Sequence, residues 1–518
     1  MNTFLIVLAF CVVLSTTTTT TAFSFFDDNI LNGLILQNDT VTIDLASIDY
    51  GHIVKVNPEA VLSPTSLNDI QSLIKAVNDN NSSSTLSSAP KTVAARGQGH
   101  SVRGQSTAEK GIVVNMTSLG SLGRRIVVVP NSLLGPYADV GGEQIWINVL
   151  VETLKHGLSP ISWTDYLGLS VGGTLSNAGI SGQAFRVGPQ IANVYELDVI
   201  TGKGDLVTCS RIKEPELFYS VLGGLGQFGI ITRARIPLTK APNKVKWLRL
   251  FYTDFSVFSR DQERLISLNG KMREKGGVEY VEGFLLMKQG PLDLSFYSVP
   301  DQLRITTLVA QSDVVYVLEL AKYYVETPPV DEDLEVLLKG LGFIAGFAFS
   351  KDVTYLEFLN RVAADEEKLR KLGLWEVPHP WLNLFIPKSR MSEFNSGVFV
   401  NILLQKKVPV GVFIVYPLNR NKWDDKMSGV IPNDEEVFYT VALLHSSTAE
   451  EVEAFDGVNN QILEFCRVAR IPVKQYLPHY ETQPDWINHF GSKWPSFQRS
   501  KLTFDPNKIL APGQKIFN

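Results

Sequence analysis

The sequence predicts an α+β protein of two domains, and three observations lead to this prediction. The chain has 518 residues, 44% of them hydrophobic and 19% charged, so it is globular and too long for a single core. Its first half alternates short β-branched runs with amphipathic helical runs, as nucleotide-binding domains do. After Pro242 alternating β-runs predominate, which indicates one large antiparallel sheet with helices on one face.

In the first half, a helix is predicted to begin after Ser66, because Ser66-Leu67-Asn68-Asp69 has the Ser-x-x-Asp form of a helix start. Apolar residues then recur at helical spacing as far as Val77. The later elements predicted here are a loop over 78–88, strands over 92–95 and 111–115, a helix over 144–156, a ligand-packed loop over 172–182 and strands over 193–200 and 229–236.

Residues 224–229 match the pattern GxGxxG, but they do not form a dinucleotide-binding turn of the Rossmann type. That turn leads directly into a helix, whereas residues 230–237 alternate like a strand. The basic Arg249 also stands about where a ribose-binding acid belongs. In the second half, β-runs over 281–287, 411–416 and 438–444 alternate with helical stretches near 257–275 and 355–372.

Charge and composition exclude several classes of function. A net charge of −5 provides no basic stripe to neutralise phosphates, which argues against a nucleic-acid partner. The seven histidines show no metal-ligand spacing, so no metal site is predicted. Cys11 falls in a targeting segment, and Cys209 and Cys466 are expected to be two buried thiols rather than a disulfide.

Residues 1–22 are predicted to be a signal peptide. An uninterrupted apolar run over 4–14 precedes a Ser/Thr tract that ends at Ala22, although the segment has no Lys or Arg at its start. No later segment is long and apolar enough to span a membrane. We therefore expect a protein of the secretory pathway, either extracellular or in the vacuole or ER lumen, with glycosylation sequons at Asn38, Asn80, Asn81 and Asn115.

The most informative segment is the turn over residues 96–105, in which three glycines surround His100. Glycines at this density let the backbone turn tightly and present its N–H groups to an anionic group. The spacing matches neither a Walker loop nor a Rossmann turn. From these residues alone, a tight turn with an incidental histidine remains the alternative.

This turn resembles the Gly-x-Gly-His-Ser loop of vanillyl-alcohol-oxidase-type flavoenzymes, and further motifs sharpen the resemblance to the plant cytokinin dehydrogenases. These motifs occupy residues 163–167, 173–183, 223–232, 280–283, 378–383 and 416–419 and the Pro-Gly-Gln tail at 512–514. The resemblance covers most of the mature chain. It implies an FAD-binding domain formed by residues 40–240 and 477–518, and a substrate domain with a large antiparallel sheet covered by helices over 241–476.

The resemblance also implies that FAD is bonded covalently, through its 8α-methyl carbon, to His100. An imidazole is a good nucleophile toward such an activated carbon. The other residues expected to line the FAD are Ala95, Gly97, Gly99, Ser101, Gln105, Asp165, Ser170, Ser176, Ile180, Ile231, Tyr476 and Gln514.

Asp165 is the residue that the resemblance assigns to catalysis, with Glu282 as a second acid near the substrate. A carboxylate at Asp165 would accept the proton of the substrate amine while hydride leaves the neighbouring carbon. The alternatives are a helix N-cap for Asp165 and an ordinary exposed strand residue for Glu282. The expected substrate-binding residues are Asp165, Glu282, Trp381, Asn383, Tyr416, Leu477 and Asp365, the last of which replaces a Glu found in some members of the family.

Three functions follow from these observations. The first is FAD-dependent oxidation of cytokinins by a monomer that passes electrons to a quinone-type acceptor or to oxygen. The second is a covalently flavinylated oxidase of the same fold that acts on a sugar, lactone or alcohol. The third is a hormone-sequestering glycoprotein with a structural flavin. The flat apolar pocket expected around Trp381 and Asn383 favours the first, although a core position for Trp381 is the alternative.

Overall fold

The computed structural model describes residues 34–83, 91–123, 125–268, 277–290, 292, 294–325, 330–405, 411–432 and 435–517, and their strands form three sheets. The predicted signal peptide lies outside these residues. Among them, no helix is long and apolar enough to cross a membrane.

The first sheet has four strands in the order β1-β2-β4-β3, and β4 pairs in parallel with both β2 and β3. Its elements are β1 (Leu36–Gln37), α1 (Thr40–Ser47), β2 (Ala60–Leu62), α2 (Leu67–Ser83), β3 (Val93–Arg96) and β4 (Ile112–Asn115). The predicted start of α2 is confirmed, since Ser66 and Asp69 exchange hydrogen bonds there.

The predicted loop over 78–88 is wrong in its first part, because α2 continues through this polar run as far as Ser83. Tertiary hydrogen bonds account for the difference. The Asn78 amide donates to the carbonyl of Gly202 at 2.7 Å, and the Asn81 side chain bonds both the N–H and the C=O of Lys91. Polar residues that disfavour a helix in isolation are thus held in one by their neighbours.

The second sheet has six strands, in the order β5-β6-β10-β8-β9 with β7 also paired to β10. The strands are β5 (Ile126–Val129), β6 (Tyr137–Gly141), β7 (Leu158–Pro160), β8 (Glu196–Thr201), β9 (Leu206–Ser210) and β10 (Gly229–Lys240), and the helices are α3 (Trp146–Leu154), α4 (Val171–Leu175), α5 (Ala184–Val187) and α6 (Pro215–Val221). The strand that follows the GxGxxG pattern is confirmed as β10.

The predicted loop over 172–182 is wrong at its beginning, where residues 171–175 form α4. Glycines allow this helix to lie close to the sheet. A Cβ at Gly172 would come within 3.1 Å of the Gly142 carbonyl oxygen and 3.2 Å of that of Ile231. A larger side chain could not approach these two backbones so closely.

The third sheet has eight antiparallel strands in the order β14-β11-β13-β12-β16-β17-β15-β18, as predicted. The strands are β11 (Lys244–Tyr252), β12 (Tyr280–Met287), β13 (Val314–Tyr324), β14 (Ala348–Thr354), β15 (Leu382–Pro387), β16 (Val412–Asn419), β17 (Val437–Leu444) and β18 (Lys474–Gln475). The helices that accompany them are α7 (Phe255–Leu268), α8 (Val299–Gln311), α9 (Val330–Leu338), α10 (Tyr355–Leu359), α11 (Arg361–Lys371), α12 (Met391–Phe394) and α13 (Val452–Val468), with a π-helix over Asn395–Leu403.

Helices cover both faces of this sheet, which corrects the prediction of helices on one face. Helices α7 and α13 and the π-helix pack with one set of alternating strand residues, which includes Leu318 and Leu320. Helix α8 packs through Ile305 and Val309 on the other set, which includes Val315 and Val317. The rest of this second face shares a core with the second sheet, because Tyr280 and Tyr416 join the same cluster as Val199.

The chain ends with α14 (Gln483–Phe490), α15 (Trp494–Phe504) and a tail that returns to the first sheet. The backbone of Val93 in β3 donates to Ile509 and accepts from Ala511. A buried ion pair fixes the tail, since Lys501 Nζ lies 2.7 Å from Asp505 Oδ2 and the two side chains are 1% and 0% exposed. Asp505 also accepts from the N–H groups of Ile509 and Leu510.

We expect Asp505→Ala to destabilise the protein by about 3–5 kcal/mol, because it leaves Lys501 charged and buried without its counterion. Thermal unfolding measures this effect. The control is Glu367→Ala, which breaks an exposed ion pair with Lys371 and should leave the unfolding temperature unchanged. Equal unfolding temperatures for the two variants would contradict the prediction.

Candidate active site

The glycine-rich turn after β3 is held by a buried carboxylate. Asp49 accepts a hydrogen bond from Ser101 Oγ at 2.7 Å and another from the N–H of Gly104 at 2.6 Å. Gly99 and Gly104 have φ values of +68° and +79°, which favour glycine. The turn is therefore organised by its own backbone and by Asp49, while Gln105 accepts from the N–H of Arg103 within the turn.

Two other segments converge on this turn. A Cβ at Gly97 would lie 2.2 Å from Ser170 Oγ, and one at Gly173 would lie 2.9 Å from the same atom. A Cβ at Gly513 would lie 2.1 Å from the carbonyl oxygen of Gly104. The next residue, Gln514, is 9% exposed, and its Oε1 has no hydrogen-bond partner among the described residues.

The other residues predicted to line the FAD lie in these same parts of the structure. Ala95 is in β3, Ser176 follows α4 and donates to the carbonyl of Gly172, and Ile180 and Ile231 are buried. The hydroxyl of Tyr476 accepts from the N–H of Gly179 at 3.3 Å. Their roles toward the cofactor stay predictions.

His100 lies in a cluster of aromatic rings. Its ring centroid is 4.6 Å from that of Tyr50, 5.0 Å from that of Tyr166 and 6.2 Å from that of Trp375. Burial lowers the pKa of His100 to about 4, although the negative charges of Glu366 and Glu376 act to raise it. The imidazole is therefore neutral at physiological pH and carries a nitrogen lone pair.

Asp165 lies in a loop rather than at a helix N-terminus, and it belongs to a buried polar cluster. Its Oδ1 accepts from Arg361 Nη2 at 2.9 Å and from the Tyr280 hydroxyl at 3.2 Å. The same hydroxyl bonds Glu282 Oε2, and Arg361 Nη2 lies 3.6 Å from that oxygen. The structure thus brings Asp165 and Glu282 together at the hydroxyl of Tyr280.

A row of charged residues across three neighbouring strands explains why an arginine is needed here. Glu282 of β12 lies directly opposite Glu319 of β13, which lies opposite Arg249 of β11. Like charges in such a register destabilise a sheet. Arg249 Nε binds Glu319 at 2.7 Å, and Arg361 Nε lies 3.7 Å from the other oxygen of Glu319.

Burial sets the electrostatics of the two predicted catalytic acids. It raises the pKa of Asp165, although the guanidinium of Arg361 acts in the opposite direction. Burial and the neighbouring charge of Asp165 raise the pKa of Glu282 well above its usual value. Glu282 is 7% exposed, so it is not the ordinary surface residue of the alternative interpretation.

The other predicted substrate residues are distributed around this cluster. Tyr416 is 3% exposed. Burial raises the pKa of Tyr416, and the charges of Asp165 and Glu282 raise it further. Asn383 is buried in β15, and Trp381 is half-buried with its ring 5.6 Å from that of Tyr50. Leu477 has φ of +55°, a strained conformation for a side chain with a Cβ. Asp365 is exposed on α11, and their roles toward the substrate stay predictions.

Sequence reasoning missed Arg361, Glu319, Asp49 and Trp375, and it gave Tyr280 no role. One signal was available for Glu319, because a single acid in the apolar run Val-Val-Tyr-Val-Leu-Glu-Leu-Ala must find a buried partner. The described residues contain no cluster of His, Cys, Asp and Glu suited to a metal ion. Cys209 and Cys466 are both free and buried, as predicted.

The four predicted glycosylation sites differ in their surroundings. Asn38 is exposed before α1, and Asn81 bonds the backbone of Lys91. Asn115 is half-buried and accepts from the hydroxyl of Thr117. The side chain of Asn80 lies outside the described residues.

Comparison with solved structures identifies the fold. Chitooligosaccharide oxidase matches 93% of this chain and 97% of its own, with a TM-score of 0.67 and 13% sequence identity. A VAO-type flavoprotein from Myceliophthora thermophila matches 93% of this chain and 85% of its own, with a TM-score of 0.64 and 15% identity. Glucooligosaccharide oxidase from Acremonium strictum, which has a 6-S-cysteinyl, 8α-N1-histidyl FAD, matches with a TM-score of 0.65 at 14% identity, over 92% of this chain and 95% of its own.

Comparison of sequences identifies the family. Residues 242–517 match the family model "Cytokinin dehydrogenase 1, FAD and cytokinin binding", and residues 58–210 match the model "FAD binding domain". The chain is 51% identical to cytokinin dehydrogenase 4 of Arabidopsis thaliana, over 94% of this chain and 93% of that protein. It is 50% identical to cytokinin dehydrogenase 6 of Oryza sativa subsp. japonica, over 93% and 91%. The chain therefore belongs to the cytokinin dehydrogenase family and has the vanillyl-alcohol-oxidase-type fold.

Proposed function

We propose that this protein is an FAD-dependent dehydrogenase that oxidises the N6-side-chain secondary amine of cytokinins such as isopentenyladenine, zeatin and their ribosides. The product is an imine that water hydrolyses to adenine and an aldehyde, so the hormone is inactivated irreversibly. The observation that carries the proposal is the carboxylate of Asp165, which Arg361 binds next to the aromatic cluster around His100. About 50% identity to curated cytokinin dehydrogenases over most of the chain supports the same substrate class.

The residues around the glycine-rich turn fit FAD. Gly97 in the turn lies so close to Ser170, just before α4, that a Cβ would clash, so the two glycine-rich segments lie side by side. The unpartnered Oε1 of buried Gln514 is an acceptor that the described residues leave free. When bound, the isoalloxazine ring supplies the hydride acceptor.

The side chains of the protein bind the substrate and accept its proton. Asp165 accepts the hydrogen bond of the substrate N–H and takes its proton as hydride leaves the adjacent carbon. Trp381 packs on the flat purine, and Asn383 provides directional hydrogen bonds. Tyr416 and Leu477 complete the pocket wall, and Glu282 and Asp365 are the acids proposed to contact substrate. Sugar oxidation is not favoured, because the oligosaccharide oxidases share only the fold at 13–14% identity.

Replacement of Asp165 by Asn should slow flavin reduction by about 10²–10⁴-fold, because an amide cannot take the proton. The amide keeps the shape of the carboxylate, so the flavin should stay bound. Stopped-flow absorbance with isopentenyladenine under anaerobic conditions measures the rate. As a matched control, Asp352→Asn changes a partly exposed acid of β14 that also has a cationic partner, and it should leave the rate unaltered. A reduction rate within about threefold of wild type would remove Asp165 from the mechanism.

We also propose that His100 holds the FAD covalently through the 8α-methyl carbon. Its neutral imidazole supports this, as does the histidyl linkage in the glucooligosaccharide oxidase of the same fold. After acid precipitation, the yellow colour should stay in the pellet for wild type and for the surface variant His156→Ala. For His100→Ala it should pass to the supernatant. Release of all the flavin from wild type would contradict the linkage.

We also propose that the protein is a monomer in the secretory pathway or outside the cell. A quinone-type acceptor or oxygen reoxidises the flavin. The protein isolated from its native tissue should begin near Phe23 and carry N-glycans. Asn38→Gln should remove one glycan, because this exposed sequon is open to modification. Mass spectrometry before and after glycosidase treatment measures both properties. An intact Met1 without any mass shift would exclude the secretory route.

A further inference from the structure

Two acids share the Tyr280 hydroxyl: Glu282 is 7% exposed, and the side chain of Asp165 is 27% exposed. We propose that Arg361 is the positioning residue that keeps Asp165 ionised as the proton acceptor, while Glu282 retains a proton. This inference rests on the proposed function for its catalytic meaning, because only an ionised carboxylate can take the proton of the substrate amine.

The geometry distinguishes the two acids. Arg361 Nη2 lies 2.9 Å from Asp165 Oδ1 but 3.6 Å from Glu282 Oε2, so only Asp165 receives a hydrogen bond from the guanidinium. Glu282 Oε1 is buried and has no partner among the described residues. A charged oxygen without a partner is costly in such a place, whereas a neutral carboxyl group costs much less.

The hydroxyl of Tyr280 links the two acids. It lies within hydrogen-bond distance of Asp165, Glu282 and Arg361. A hydroxyl has one proton to donate, and it accepts from the guanidinium. If both acids were ionised, the hydroxyl could donate to only one of them. A proton on Glu282 removes this conflict, because Glu282 then donates to the hydroxyl and the hydroxyl donates to Asp165.

The position of Arg361 is itself fixed by several contacts. It is the first residue of α11 and is 12% exposed, with its guanidinium over the rings of Tyr280 and Phe358 at 5.0 and 4.9 Å. Its Nη1 donates to the carbonyl of Phe358 in α10. The break between α10 and α11 at Asn360 therefore aims this side chain at the sheet.

The count of charges agrees with the assignment. The ionisable groups that face Asp165 and Arg361 are Tyr280 and Glu282 of β12, Glu319 and Tyr323 of β13, Tyr416 of β16 and Tyr476 after β18, with Arg249 of β11 paired to Glu319. Among these, the two arginines balance two negative charges. Glu319 and Asp165 take them, so a proton on Glu282 leaves the cluster neutral.

Infrared spectroscopy of the holoprotein without substrate tests this assignment. At neutral pH wild type should show the C=O stretch of a protonated carboxyl group that shifts when glutamate is labelled with ¹³C at its side-chain carboxyl, that does not shift when aspartate is labelled in the same way, and that is lost in Glu282→Gln. In Arg361→Gln a second such band should appear, because Asp165 then takes up a proton. A band that shifts with labelled aspartate instead of labelled glutamate would overturn the proposal, and so would its absence from wild type.

The pH dependence of flavin reduction gives a second readout. The rate falls as the pH drops through the pKa of Asp165, which must be ionised. Removal of the positive charge raises that pKa, so Arg361→Gln should move the acid limb up by about 1–3 pH units. Arg361→Lys keeps the charge and should restore most of the original profile. An acid limb at the wild-type position in Arg361→Gln would contradict the proposal.

Arg125→Gln is the matched control, because it also removes the arginine partner of an acid, the buried Glu143, but outside the cluster around Arg361. It should lower the unfolding temperature as Arg361→Gln does but should not move the acid limb. If Arg361→Gln fails to fold, the infrared comparison of labelled wild type and Glu282→Gln still decides the assignment. A wild-type protein that isopentenyladenine does not reduce would refute the proposed function, whereas the infrared bands would still test the charge assignment.

Discussion

The proposed active site depends on the compensation of negative charge inside an apolar sheet. Strands β12 and β13 place Glu282 and Glu319 opposite each other, where they would repel and where water cannot screen them. Two arginines make this arrangement tolerable, one from the neighbouring strand and one from the start of α11. Removal of either would leave a buried acid unpaired, which costs far more than the loss of a surface ion pair.

This pairing of acids with arginines links the third sheet to the rest of the molecule. Arg361 comes from a helix that follows β14, whereas Asp165 comes from the loop before α4. Their contact therefore joins distant parts of the chain at the point where the second and third sheets share a core. The charges help to fix the relative position of the two sheets, and the apolar residues around them exclude water from the same place.

The sequence predicted the regular elements well where hydrophobic periodicity was strong, as in β10, β12 and β17, because period and burial coincide there. It was wrong at residues 78–83 and 171–175, where hydrogen bonds and close backbone contacts from distant segments decide the conformation. Motifs pointed to His100, Asp165 and Glu282. They could not reveal Arg361, because its role arises from a contact across 196 residues of sequence.

The return of the C-terminal tail to β3 has a consequence for biosynthesis. Backbone bonds from residues 509 and 511 complete the strand that leads into the glycine-rich turn, and Gly513 packs against the turn itself. The whole substrate sheet lies between β3 and these residues in the sequence, so the turn proposed to bind the cofactor is completed only after that sheet has been synthesised. A chain that lacks residues 509–513 thus has an unfinished turn, which ties the formation of this turn to the meeting of two distant segments.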